Sequence, residues 1–181
     1  MAALLFALPV LLLHLFVLAA GTATPSSLVL ASCAHSRYPN LCIHTLASSA
    51  ARTPTDLAVD SISAAASSAR NVTSFLHHLS PPPFPAVRDC VEQIADSGGQ
   101  LSSAAAELRK LRPENSQWTL DNAQTWVSAA LTNEDTCLDA IRRLPAGVHR
   151  SVSAHVSEAR RVTCNALYLV AHLAGGSPHR R

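Results

Sequence analysis

The amino-acid sequence predicts an all-α protein, an up-and-down four-helix bundle with an N-terminal helical hairpin. Three observations lead to this prediction. Apolar residues recur every three or four positions over four long stretches, proline or glycine interrupts the chain between those stretches, and aromatic residues make up only 4% of the 181 residues. Four long amphipathic helices with short connections favour a bundle. Because aromatic side chains are so few, we expect small aliphatic residues to fill the core and to let the helices approach closely.

The first twenty residues are almost wholly apolar and are interpreted as part of a secretory signal peptide, residues 1–23. Gly21 and Ala23 provide the small side chains that precede a cleavage site, which places the start of the mature chain at Thr24. The apolar run approaches the length of a membrane span, but a proline and a histidine interrupt it. We therefore expect an exported protein with no membrane association after cleavage.

Residues 24–52 are predicted to form the helical hairpin. Pro39 disfavours helix at Tyr38 and can itself occupy the first position of a new helix. Two short helices would then meet at Tyr38. A disulfide between Cys33 and Cys42 would staple them, and a ring this small stabilises by roughly 3 kcal/mol in the loop-entropy model.

Residues 53–176 are predicted to form the bundle, and residues 177–181 a C-terminal tail. Thr53-Pro54 starts the first bundle helix, because threonine is a favourable N-cap and proline suits the first helical position. The Gly98-Gly99 pair within the second helix predicts a kink or a close helix contact. The third helix is expected from residue 116 to residue 144, and His155 falls on the inward stripe of the fourth.

Five cysteines follow the leader: Cys33, Cys42, Cys90, Cys137 and Cys164. An odd number leaves at least one thiol unpaired or bonded to another molecule, and the sequence alone permits many pairings. Spacing favours Cys33 with Cys42 and Cys90 with Cys137. The second of these bridges would tie the second bundle helix to the third.

Composition and motifs argue against several classes of function. The formal net charge is only +2 and the basic residues are spread along the chain, which makes nucleic acid an unexpected partner. The sequence has no His-Glu-x-x-His, Gly-x-Ser-x-Gly or Cys-x-x-Cys motif and no glycine-rich phosphate loop, so we predict no enzyme activity, cofactor or metal. A lipid carrier would need a hollow core lined by large aliphatic residues, whereas the small residues of this chain favour close packing.

The stretch from Trp126 to Cys137 carries a resemblance to a known family. It runs from an apolar helical face into a polar, turn-like patch and ends at a cysteine, and we interpret it as a recognition surface that is held in place if Cys137 is bridged. Together with the segment from Cys33 to Cys42 around Tyr38-Pro39, with Val87-Arg88-Asp89-Cys90 and with Asn165-Ala166-Leu167, it resembles the plant pectin methylesterase inhibitors. The resemblance extends over essentially the whole mature chain.

The resemblance implies a protein secreted to the cell wall, or apoplast. It also implies one disulfide from Cys33 to Cys42 in the hairpin and one from Cys90 to Cys137 in the bundle. Cys164 would then remain a free thiol. A buried, inert thiol is the simpler interpretation, and a dimer linked through Cys164 is the alternative.

Members of this family form a one-to-one noncovalent complex with pectin methylesterase that occludes its substrate cleft. The resemblance implies that the contact surface lies on the second and third bundle helices, and the candidate residues are Glu92, Asp96, Gln124, Thr136 and Asp139. Because carboxylates lose charge on acidification, we expect the strength of the complex to depend on pH. The alternative is that these acids are solvated helix faces without a partner.

Inhibitors of acid invertase belong to the same family, and acid invertase is therefore the alternative target. Those inhibitors resemble one another in a Pro-Lys-Phe segment between the second and third bundle helices. Here residues 111–115 read Leu-Arg-Pro-Glu-Asn, without Lys-Phe after the proline. This difference favours pectin methylesterase.

Asn71-Val72-Thr73 is a sequon for N-glycosylation, which an exported chain would present to the modifying enzymes. Val72 falls on the buried stripe of its helix, so Asn71 is expected at the edge of that stripe. Asn71 is therefore a candidate glycosylation site.

Overall fold

The computed structural model describes residues 24–79 and 84–175, and these residues form six α-helices and no strand. The predicted all-α fold, a four-helix bundle with an N-terminal helical hairpin and two disulfides, is confirmed. The predicted signal peptide and the C-terminal tail lie outside the described residues. Among the helices that are described, none combines the length and apolar character needed to cross a bilayer. The helices are α1 Ser27–Cys33, α2 Pro39–Leu46, α3 Pro54–His78, α4 Pro85–Leu108, α5 Ser116–Ala140 and α6 Ala146–Gly175.

Local sequence explains where the bundle helices begin. Thr53 and Asp56 form a reciprocal capping box at the start of α3: the Asp56 backbone N–H donates to Thr53 Oγ1 at 3.1 Å, and the Thr53 N–H donates to Asp56 Oδ2 at 3.2 Å. Proline occupies the first position of α3 and of α4. A 3₁₀ turn, Pro113–Asn115, leads into α5, and a second one, Ile141–Arg143, follows it.

The four long helices pack in a ring. α3 packs against α4, α4 against α5, α5 against α6, and α6 returns to α3. Short connections make successive helices antiparallel, which is the predicted up-and-down arrangement. The core contains many fully buried small residues, which bring the helix axes close together and leave little need for aromatic side chains; they include Ala58, Ala65, Ala69, Ala104, Ala123, Ala130, Ala159 and Ala166.

The Gly98-Gly99 pair lies within an unbroken α4. Gly98 is buried at the contact with α3, where an added Cβ would lie 3.7 Å from the Cβ of Ala69. Gly99 faces open space, because no heavy atom lies within 4 Å of an added Cβ there. Of the two outcomes predicted for this pair, the structure shows the close helix contact at Gly98.

Two details of the sequence interpretation are wrong. The polar patch that precedes Cys137 is not turn-like, because α5 continues through it. The third bundle helix ends at Ala140, four residues before the predicted end at residue 144. Thr132 and Thr136 donate their hydroxyls to the carbonyls four residues earlier, Ser128 O at 3.1 Å and Thr132 O at 2.8 Å, so these polar side chains are satisfied within the helix.

His155 is not on the inward stripe of α6. Its side chain is exposed and stacks on Phe75 of α3, with ring centroids 3.8 Å apart and planes 12° apart. The inward position of this turn belongs to Val156, which is fully buried one residue later, between Val152 and Ala159. Helical spacing allows the next inward residue after Val152 to lie three or four positions later, and in the structure it lies four positions later, at Val156.

The hairpin packs on α3 and α6, and one side chain of α6 binds its linker. Cys33 and Cys42 are buried and form a disulfide that joins α1 to α2, with a Cα–Cα distance of 5.6 Å. The amide of Asn165 then binds both backbone groups of Tyr38: its Oδ1 accepts from the Tyr38 N–H at 3.1 Å, and its Nδ2 donates to the Tyr38 carbonyl at 3.0 Å. Because Asn165 is itself buried, these bonds fix the linker between α1 and α2 against the bundle.

Candidate interaction face of α4 and α5

A buried disulfide joins α4 to α5. Cys90 and Cys137 are fully buried, and their Cα atoms lie 4.5 Å apart. Further along the same pair of helices, Asn133 Nδ2 donates to Gln100 Oε1 at 3.2 Å. The two helices are therefore fixed to one another at separate points, and the residues on their outer sides form one rigid surface. The two disulfides are the pairs that the family resemblance implies.

Glu92 and Asp96 are exposed on the outer side of α4. They flank the fully buried Ile94 at two residues on either side, and two residues turn a helix by about 200°, so both carboxylates point away from the core. Within the described part of the chain, neither carboxylate forms an ion pair. Both therefore stay available as acceptors for a partner.

Thr136 and Asp139 are exposed on α5, on either side of the buried Cys137. Asp139 is partly occupied, because its Oδ1 lies 2.9 Å from Arg142 Nη2 in an exposed ion pair. Exposed pairs of this kind contribute little to stability. A partner could compete for Asp139 with little loss of stability.

The contacts across the two helices show which predicted residues come together. Cys90 is opposite Cys137 and Ser97 is opposite Glu134, so the part of α4 that carries Glu92 and Asp96 lies beside the part of α5 that carries Thr136. We call the surface formed by Glu92, Asp96, Gln100, Asn133 and Thr136 the α4–α5 face. Asp139 lies at its edge.

Gln124 is not part of this group. It lies twelve residues before Thr136 on α5, which is about 18 Å along the helix axis, and its side chain is half-buried. Trp126 begins the stretch interpreted as a recognition surface but was not among the candidate contact residues, and Trp118 of the same helix was not singled out. Their side chains are exposed at 43% and 70%. Tryptophan is enriched in protein interfaces because a large apolar ring is costly to leave in water, and that signal was available in the sequence.

A buried acid beneath the α4–α5 face was missed as well. Glu134 of α5 has no exposed surface, and its Oε1 lies within hydrogen-bond distance of Ser97 Oγ of α4 and of Thr163 Oγ1 of α6, both at 2.9 Å. Its Oε2 has no hydrogen-bond partner. Burial raises the pKa of Glu134 to about 7, while the hydrogen bonds from Thr163 and Ser97 and the charge of Arg160 act in the opposite direction.

Cys164 is half-buried on α6 and is the free cysteine of the described residues. Burial raises the pKa of its thiol, although the nearby guanidinium of Arg160, 3.9 Å from the sulfur at Nη1, opposes the shift. A thiol that resists ionisation is a poor nucleophile. Asn71, the candidate glycosylation residue, is exposed on α3 next to the buried Val72.

No group of three or more histidine, cysteine, aspartate or glutamate side chains within residues 24–79 and 84–175 is arranged to hold a metal ion. The histidines singled out in the sequence, His77 and His78, are both exposed at the end of α3. The chemistry of the α4–α5 face is that of a binding surface, with fixed acceptors, an amide pair and nearby exposed aromatic rings.

Comparison with known proteins identifies the relatives of this fold. The sequence profile of the family described as "Plant invertase/pectin methylesterase inhibitor" matches residues 27–169. The chain belongs to this family. The predicted resemblance is therefore confirmed, and since the family consists of inhibitor proteins, the chain is an inhibitor rather than an enzyme.

Individual family members resemble the chain over most of their length. Pectinesterase inhibitor 9 of Arabidopsis thaliana is 34% identical over 187 aligned positions, which cover 91% of this chain and 92% of that protein. Pectinesterase inhibitor 3 of the same plant is 37% identical over 169 positions, covering 84% of this chain and 82% of that protein. Among solved structures, a crystal structure of a mutant form of a pectin methylesterase inhibitor from Arabidopsis matches with a TM-score of 0.65 and 25% identity, covering 81% of this chain and 97% of that one.

Proposed function

We propose that this protein inhibits a plant pectin methylesterase by forming a noncovalent one-to-one complex that covers the substrate cleft of the enzyme. The relatives named as pectinesterase inhibitors support this target. The observation that carries the proposal is the α4–α5 face, where the exposed carboxylates of Glu92 and Asp96 on α4 form no ion pair among the described residues. They lie beside Thr136 of α5, and a buried disulfide holds the two helices together.

The rigidity of this face favours tight binding. A surface that is already ordered before association loses little conformational entropy when it meets its partner. The exposed carboxylates of Glu92 and Asp96 can accept hydrogen bonds from cationic or N–H donors of an enzyme. Inhibition then requires only that the bundle occupy the space that the polysaccharide needs, so no chemical step takes place on the inhibitor.

The connection between α4 and α5 favours pectin methylesterase over acid invertase as the target. It forms a 3₁₀ turn, Pro113–Asn115, in which the Arg112 N–H donates to Asn115 Oδ1 at 2.7 Å. The turn contains no Lys-Phe after the proline. Acid invertase is the alternative target within the same family, and a direct assay distinguishes the two.

The cellular setting follows from the same proposal. Residues 1–23 direct export, the protein acts in the cell wall, and Asn71 carries an N-linked glycan. Two disulfides support an oxidising compartment, because such bonds persist outside the cytosol. A dimer linked through Cys164 stays a prediction, which gel electrophoresis of the exported protein under non-reducing conditions checks.

The test is a paired inhibition assay of the oxidised protein against plant pectin methylesterase and acid invertase. We expect inhibition of the esterase. The double variant Glu92→Gln, Asp96→Asn should weaken that inhibition about tenfold or more, because it removes two negative charges, and with them the strongest acceptors, from the proposed contact. The control is Glu114→Gln, Glu158→Gln, which changes the net charge equally at two exposed positions outside the α4–α5 face.

The assay separates the parts of the proposal. Inhibition of invertase alone would contradict the proposed target. Equal inhibition of the esterase by both double variants would leave the target intact and contradict the assignment of the contact to Glu92 and Asp96.

A further inference from the structure

Glu134 connects three helices of the bundle at one point. Its own helix is α5, and its Oε1 binds the hydroxyls of Ser97 from α4 and Thr163 from α6, each at 2.9 Å. All three side chains are buried, with Glu134, Ser97 and Thr163 at 0% exposure. Glu134 is adjacent in the chain to Asn133, which is part of the α4–α5 face, and lies three residues before Cys137. Its hydrogen bonds therefore fix the buried side of the same part of α5.

The number of hydrogens in this cluster indicates which form of Glu134 the structure holds. Thr163 Oγ1 lies within bonding distance of two acceptors, Glu134 Oε1 and the Ala159 carbonyl at 3.1 Å, but a hydroxyl has a single hydrogen to donate. When Glu134 is protonated, its own O–H donates to Thr163 Oγ1, and Thr163 donates to Ala159. Ser97 donates to Glu134 in either case. The neutral acid therefore satisfies every hydroxyl in the cluster.

The ionised form is poorly accommodated at the same place. A carboxylate shares its charge between both oxygens, yet Oε2 is buried without a donor. Thr163 would have to give up the Ala159 carbonyl in order to donate to Oε1. An anion thus leaves one charged oxygen without a partner and the Ala159 carbonyl with only its helical bond from the Thr163 N–H, whereas the acid leaves only a neutral oxygen.

The charged groups around Glu134 do not compensate for a negative charge. Arg160 of α6 is the nearest cation that acts on it, but its guanidinium forms a two-point ion pair with Asp135, with Nη2 at 3.2 Å from Oδ2. Asp135 on α5 itself disfavours a second negative charge, as does any ionisation of Cys164 on α6. The residue of α4 that contacts Glu134, Ser97, is neutral.

We propose that Glu134 is a positioning residue that holds α4 and α6 against α5 as a neutral acid, and that its ionisation loosens the α4–α5 face. The protein is then tightest under acidic conditions and less rigid above neutral pH. The inference concerns the free protein and goes beyond the proposed function, so it does not depend on which enzyme is the target.

The experiment compares folding equilibrium constants of the wild-type protein and Glu134→Gln between pH 4.5 and pH 8. Glutamine has the same shape and an oxygen that accepts from Ser97, but it cannot ionise in this range. Because the proton is held more tightly by the folded protein, the wild-type constant should fall on the order of a hundredfold as pH rises across this window. Glu134→Gln should lack that fall.

Glu114→Gln is the matched control, because it makes the same chemical change at an exposed position and should keep the wild-type profile. An unchanged fall in Glu134→Gln overturns the proposal. If that variant does not fold, ¹³C NMR of the wild-type carboxyl groups decides: titration of Glu134 near pH 7 supports the proposal, and titration near pH 4.5 overturns it. Hydrogen exchange of the α5 amides should show the same loss of protection above pH 7.

Discussion

Glu92 and Asp96 on the outside of α4 carry the same chemical group as Glu134 on the inside of α5, in opposite surroundings. The outer acids are in water, without ion-pair partners among the described residues, and can receive a partner protein. The inner acid has no contact with water and binds two hydroxyls of neighbouring helices. Position on the helix, rather than residue type, therefore decides whether a carboxyl group is accessible to a partner or is part of the packed interior.

The two positions also respond to acid in opposite directions. Acidification removes charge from exposed carboxylates and so weakens their bonds to a partner. The same change protonates Glu134, whose pKa is raised to about 7 by burial, and so strengthens the packing beneath them. The contribution of Glu134 to stability is complete below the ordinary pKa of 4.5 and is lost as pH rises through about 7, an effect of about 3 kcal/mol.

The largest expected effect comes from removing the disulfide that joins α4, which carries the outer acids, to α5, which carries Glu134. Replacing Cys90 and Cys137 together by serine should lower the free energy of unfolding by about 4 kcal/mol, because the disulfide closes a long loop of the unfolded chain. The disulfide between Cys33 and Cys42 closes a shorter loop, so replacing these two cysteines by serine should cost about 3 kcal/mol. Guanidinium unfolding at pH 5 measures both. A larger loss from the hairpin pair would contradict the loop-length argument.

A second change tests the inner acid through its partner. Thr163→Val keeps the shape of the side chain but removes the hydroxyl, and it should cost about 1–3 kcal/mol because Glu134 then lacks a partner for its proton. Thr163→Ser keeps the hydroxyl and should cost less than the valine variant. Urea unfolding at pH 5 compares the two. Equal losses would show that the hydroxyl contributes no more than the methyl group at this position, which would contradict its role as the partner of Glu134.

A third change provides a reference for Glu134, because it removes hydrogen bonds in a region where no carboxyl group takes part. Asn165→Ala removes both hydrogen bonds to the Tyr38 backbone and should cost about 2 kcal/mol, since two partly buried backbone groups lose their partner. No carboxyl group takes part, so the loss should be the same at pH 5 and pH 8. Asn40→Ala, an exposed residue of the hairpin, is the control and should change stability very little. Hydrogen exchange at Tyr38 reports the local effect.

The smallest expected effect belongs to the outer acids. The double variant Glu92→Gln, Asp96→Asn should change the free energy of unfolding by less than about 0.5 kcal/mol, because exposed side chains without partners contribute little to the fold. Thermal unfolding at pH 7 measures this. A loss above 1 kcal/mol would mean that these residues hold the bundle together and would remove the contrast with Glu134.

Much of the architecture could be predicted because it depends on local chemistry. Thr53-Pro54 caps α3 within its own first turn, and Pro39 starts α2 without help from distant residues. The family resemblance added the disulfide pairs, which spacing favours but does not prove.

The remaining features depend on contacts between distant helices. Glu134 continues the inward stripe through Val127 and Ala130, but a charged residue is normally assigned to the surface unless its partners are known. Those partners, Ser97 and Thr163, are ordinary serine and threonine residues in the sequence. The inward position of α6 was assigned to His155, one residue before the buried Val156. The contact of His155 with Phe75, a residue distant in the sequence, is not visible from spacing.

The link from Asn165 to Tyr38 also constrains the order in which the chain can mature. The two residues are separated by 127 positions, so this contact cannot form until nearly the whole chain has been synthesised. Their own disulfide spans nine positions and can close early. The hairpin can therefore be stapled and can meet α3 early, whereas its linker is fixed only when α6, the last helix, has been made.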